Sequence, residues 1–118
     1  MKFNKLYESI FKPASKEEVE TRKSQSNLEE FKEWIEKYLK IKYEDLFKRE
    51  NINKQDYDGD TALIEASGRG LKDIVELLLK HNADVNINNK IGCTSLIKAY
   101  MHGKKDIADL LKSYGAKE

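Results

Sequence analysis

The sequence predicts an all-α solenoid of about three helix pairs, preceded by an N-terminal amphipathic helix. Two observations carry this. Asp58-Gly59-Asp60-Thr61-Ala62-Leu63-Ile64-Glu65-Ala66 returns thirty-three residues later as Ile91-Gly92-Cys93-Thr94-Ser95-Leu96-Ile97-Lys98-Ala99, and the echo runs on through Gly70 and Gly103, Asp73-Ile74 and Asp106-Ile107, Leu77-Leu78 and Leu110-Leu111, Ala83 and Ala116. A fixed period of that length, holding both turn and helix signals, marks stacked repeats. One proline and six glycines in 118 residues leave little room for loops.

Residues 2–11 place Phe3, Leu6, Tyr7, Ile10 and Phe11 at helical spacing, and Pro13 stops that helix. Its apolar stripe either packs on the rest of the protein or docks into a partner's groove. Ser15-Lys16-Glu17-Glu18 reads as a capping box opening a short solvated connector, and Ser24-Gln25-Ser26 as a hinge. Residues 1–26 are thus an extension and linker.

From Asn27 the pattern tightens. Leu28, Phe31, Trp34, Ile35, Tyr38 and Leu39 mark one face of a helix, with Trp34 expected in the core. After a break near Ile41, Tyr43, Leu46 and Phe47 predict a second short helix. Ile52-Asn53 matches Val85-Asn86 at the full period. Residues 27–53 therefore form a degenerate first repeat without an inter-helix glycine, followed by repeats at 54–86 and 87–118.

In the two clear repeats, Asp58-Gly59 supplies a tight turn and Thr61 and Thr94 stand at helix N-caps. Gly70 and Gly103 turn the chain into second helices, which Asn82 and Gly115 close. Leu63, Ile64 and Ala66 face inward. Val75 and Leu79 become Ala108 and Lys112 in the last repeat, the narrower stripe of a stack end.

Gly59-x-Thr61-x-Leu63-x-x-Ala66, Gly70, Ile74-Val75-x-Leu77-Leu78-Leu79 and Asn82-Ala83-Asp84-Val85-Asn86 resemble the ankyrin repeat. The copy at Gly92, Thr94, Leu96, Ala99, Gly103, Ile107, Leu110-Leu111 and Gly115-Ala116 resembles it too. The expected fold is then an ankyrin-repeat helical solenoid over 27–118. The family's usual proline after the threonine is Ala62 and Ser95 here, and its usual histidine is Ile64 and Ile97. The missing histidine removes a hydrogen bond between neighbouring loops. Tyr100 replaces a small residue and is expected to swell the inner face, and Glu65 and Lys98 are expected to pair across the stack.

The resemblance implies a non-enzymatic protein–protein interaction module that binds another protein through its finger loops and concave helix face. Matched by position, the partner-binding candidates are Tyr57, Asp58, Asp60 and Arg69, then Asn88, Lys90, Ile91, Cys93, Met101 and His102. The alternative is an assembly component, for instance of a phage or viral particle, docking through its N-terminal helix.

Chemistry is sparse. His81 and His102 fall on different parts of their repeats, and no motif surrounds Cys93, although a stack can bring Cys93 and His102 onto one surface. Asp56, Asp58 and Asp60 suggest a calcium loop, but its twelfth-position glutamate is absent. No catalytic residue, metal or cofactor is expected. The net charge of +1 gives no basic stripe for nucleic acid. Charged residues make up 36% and mean hydropathy is −0.76. No run of about 18 apolar residues exists to span a membrane, and the lone cysteine fits a reducing compartment, so the expected location is cytoplasmic.

Overall fold

The computed structural model describes residues 27–117, and all regular structure within them is helical. The expected N-terminal helix and connector, residues 1–26, lie outside the described residues. Helix α1 runs through 27–34 and continues as a π turn over Ile35–Leu39. A 3-10 turn at Tyr43–Asp45 follows. Then come α2 (Ala62–Arg69), α3 (Lys72–Lys80), α4 (Ser95–Met101) and α5 (Lys105–Ser113).

Each inner helix, α2 or α4, starts at a capping threonine. The Ile64 N–H donates to Thr61 Oγ1 at 3.2 Å, and the Ile97 N–H to Thr94 Oγ1 at 3.3 Å. This satisfies one of the N–H groups that a helix start leaves unpaired. The left-handed residues expected at Asn82 and Gly115 appear, with φ of 66° and 95°, and the inter-helix Gly70 is left-handed too at 78°.

The core lies between the helix layers and runs unbroken through the stack. Phe31, Ile35, Leu39 and Leu46 from the first repeat join Leu63, Ala66, Val75 and Leu78 from the second. Leu96, Ala99, Ile107 and Leu111 complete it. The most extensive helix contact is α2 on α4, across the joint between repeats. No single helix pair could bury these faces, which is why the repeats must stack.

The first repeat departs from expectation in its second half. Instead of an α-helix around Tyr43, Leu46 and Phe47 there is only the 3-10 turn and a string of turns. Lys40 ends α1 in the left-handed region, φ 60°, standing where a repeat of this kind would use glycine. The short connection after it leaves one turn to carry the apolar side chains. Leu46 is still buried, and Tyr43 meets Phe47 edge-on at 5.6 Å. Burial pushes the Tyr43 phenol pKa up. One turn is enough to close this end of the core with Leu46.

Two more expectations change. Glu65 does not pair with Lys98; its carboxylate takes the Arg69 Nε–H at 2.8 Å one turn along the same helix. The Lys98 stem instead lies over Gly68, where an added Cβ would stand 2.9 Å from Lys98 Cγ. Tyr100 does not swell the inner face. It is half exposed, with the Lys112 ammonium 5.3 Å from its ring centre. Its counterpart Ser67, like Ile64, is fully buried where α4 packs on α2, whereas α4 packs on α5 and meets no further inner helix among the described residues.

Candidate functional site: the finger loops and inner-helix face

The fingers are built by a repeated Asx turn. Asp56 Oδ1 accepts the N–H groups of Asp58 and Asp60 at 2.9 and 2.8 Å. Thirty-three residues on, Asn89 Oδ1 accepts those of Ile91 and Cys93 at 3.1 and 2.9 Å. Short polar side chains that fold back on their own backbone in this way fix a loop without a strand ladder. The backbone closes the same rings, Asp56 N–H to the Asp60 carbonyl and Asn89 N–H to the Cys93 carbonyl, both at 2.9 Å.

The two fingers are then tied to each other. The Lys90 N–H donates to the Asp58 carbonyl at 3.0 Å, and Asn89 Nδ2 donates to Asp60 Oδ1 at 2.9 Å. Gln55 Nε2 reaches both the Gly59 and Asn88 carbonyls, at 2.8 and 3.2 Å. These bonds order the loops where the missing histidine would have done so. Gly59 is required at this joint. Its φ is 85°, and a Cβ there would sit 2.9 Å from the Lys90 nitrogen and 3.0 Å from Asn89 Cα.

At the base of the fingers a second ladder runs through asparagines of the same register. Asn53 Oδ1 accepts the Asp84 N–H at 2.9 Å, and Asn86 Oδ1 accepts the Lys117 N–H at 3.1 Å. Each asparagine thus pins the segment one repeat further on.

On this frame the structure gathers some of the sequence candidates and separates others. Tyr57 and Ile91 stand on adjacent finger tips, 84% and 80% exposed. The Lys90 ammonium lies 4.1 Å from the Tyr57 ring centre, so the tips are linked by a cation–π contact. Asp58 and Asn88 flank them, exposed. Met101, 62% exposed, and the exposed His102 lie at the end of α4.

Three candidates are occupied within the chain. Asp60 is half-buried against Asn89. Arg69 bridges Glu65 at 2.8 Å and Glu30 of α1 at 3.5 Å. Cys93 is not a surface finger residue: its thiol is buried, 4.0 Å from the Met101 sulfur. It follows the Asn89 turn, which draws the chain inward there.

His81 is structural. Its Nδ1 lies 2.9 Å from the Leu77 carbonyl, and its ring packs on Phe47 at 5.2 Å. Among the described residues no three His, Cys, Asp or Glu side chains gather to hold a metal. Nor is any helix among them long and apolar enough to cross a membrane.

Stacked helix pairs, threonine-capped inner helices and linked finger loops agree with the comparison to known families. A family model for ankyrin repeats matches residues 27–118 in three copies. The chain is an ankyrin repeat protein. The match begins at residue 27 and so takes in the stretch that holds the 3-10 turn. Ankyrin repeats generally serve as protein–protein interaction modules and are typically non-enzymatic. No curated protein matched the chain.

Sequence reasoning missed the residues that hold the ankyrin fingers in place. Asp56 and Asn89 share the thirty-three-residue register and were legible as an Asx position before a glycine three residues on. The change from Asp to Asn hid the match. Asn53 and Asn86 share the register too, but their bonds run to the next repeat and no local pattern marks that role; Gln55 carried no such sign.

Proposed function

We propose that the protein is an interaction module whose partner is another protein, gripped by the finger tips and the adjoining inner-helix face. The observation that carries this reading is the pair Tyr57 and Ile91. Two large side chains are held in the open by loops whose turns are closed by their own hydrogen bonds and tied to each other. Presenting such groups on a preformed frame lowers the ordering cost of binding, and aromatic anchors supply much of the energy at interfaces. Tyr57, Ile91 and Met101 supply apolar contact, while Asp58, Lys90 and His102 set charge and hydrogen bonding around them. Asp60, Arg69 and Cys93 shape the face from within. The even charge balance, +1 overall, favours a protein partner over a polyanion.

The test is capture from the native host by immobilised protein, comparing the wild type with Tyr57→Ala, Ile91→Ala and Met101→Ala combined. The three side chains are exposed, so thermal unfolding should move by no more than a few degrees. Captured partner should disappear. Undiminished capture by the triple variant would reject this face.

A further inference from the structure

At the far end of the inner helices from the fingers, a cleft of about 300 Å³ opens between α1 and α2, lined by Glu30, Glu33, Trp34, Lys37, Tyr38 and Arg69. Tyr38 belongs by α-helical spacing to the buried face, yet it is 48% exposed. It lies within the π turn over Ile35–Leu39 and stands one turn above Trp34, ring centres 6.3 Å apart.

The cleft therefore has an aromatic wall, and aromatic faces attract cations and repel carboxylates. The structure already displays this preference, since the Lys37 ammonium stands 5.3 Å from the Tyr38 ring centre. The carboxylates beside that wall are underused. Glu30 is left with the longer of two Arg69 contacts, 3.5 Å against 2.8 Å to Glu65. Glu33 is exposed and makes no ion pair among the described residues. Lys37 is exposed on a flexible stem and can swing into water when a better-fitting cation arrives.

We propose that this cleft takes one arginine side chain of the partner, its guanidinium lying along Tyr38 and the edge of Trp34 and bonded to Glu33. A guanidinium suits the site better than an ammonium because it is planar, weakly hydrated, stacks on rings and forks onto a carboxylate. The assignment rests on the interaction-module reading and names the side chain that the inner-helix face selects. Nothing in the finger contacts requires it.

The chain has a single tryptophan, so its indole N–H gives one resonance that reports on the cleft. The probes are acetylated, amidated Gly-Arg-Gly and the same peptide with citrulline, which keeps the shape and removes the charge. The arginine peptide should shift the Trp34 indole and Tyr38 ring signals saturably. The citrulline peptide should bind at least about fivefold more weakly, and Glu33→Gln should weaken the arginine peptide by a similar factor. Glu33 is exposed, so that variant should melt as the wild type does. Equal binding of the two peptides, an unmoved Trp34, or tighter binding of Gly-Glu-Gly would each overturn the assignment. The titration uses the protein without its partner. An unmoved Trp34 therefore removes the cleft and leaves the finger face to the capture experiment.

Discussion

Leu96→Ala should cost about 2–5 kcal/mol of folding stability, whereas Ile97→Ala on the next residue should cost less than about 1 kcal/mol. Leu96 is buried in the joint where α4 packs on α2, and truncation leaves a void that two helices must share. Ile97 is 42% exposed and loses little. Against a domain stability of roughly 5–15 kcal/mol, the first loss is large. Neighbouring repeats cannot bury their faces alone, so the loss should be felt throughout the stack. Urea unfolding followed by both Trp34 fluorescence and helical circular dichroism checks this. Both signals should move together to a lower midpoint. A Trp34 transition left at its wild-type midpoint would mean that the last repeat unfolds separately.

Asn89→Ala should lower stability by about 1–3 kcal/mol and loosen the finger row. Asn89 is buried, and its side chain makes three hydrogen bonds: two from the Ile91 and Cys93 N–H groups and one to Asp60. Alanine removes every partner at once and strands the Cys93 N–H in a covered position. Amide hydrogen exchange at Ile91 and Cys93 should accelerate well beyond the change seen in α3. Unchanged protection at Cys93 would show that the turn holds without its asparagine. Asn89→Asp keeps the acceptor but sets a second carboxylate against Asp60. It should retain the Cys93 protection and still lose stability.

Features fixed by local backbone geometry were legible in the chain. The thirty-three-residue echo located the caps at Thr61 and Thr94, the turns at Gly59 and Gly70 and the left-handed residues at Asn82 and Gly115, because each needs a particular residue type at one position. Apolar spacing likewise identified Phe31, Trp34, Ile35 and Leu39 as buried. Features that depend on winding or on contacts between repeats were not legible. Apolar spacing at Tyr43, Leu46 and Phe47 is the same for a short helix and for one 3-10 turn. Tyr38 is half exposed, within a π turn that no residue announces. Arg69 was read as open to a partner, but Glu65 and Glu30 already hold it. Cys93 aligns with a finger position but is buried beside Met101, its N–H bonded to Asn89.

The central claim is that the finger tips touch the partner. Photo-crosslinking tests it most directly, with benzoylphenylalanine placed singly at position 57, at position 91 and, as a control, at the exposed position 109 of α5. Irradiation in the presence of native-host extract should give the same heavier species from positions 57 and 91 and none from 109. Crosslinking from 109 alone, with both finger positions silent, would contradict the account.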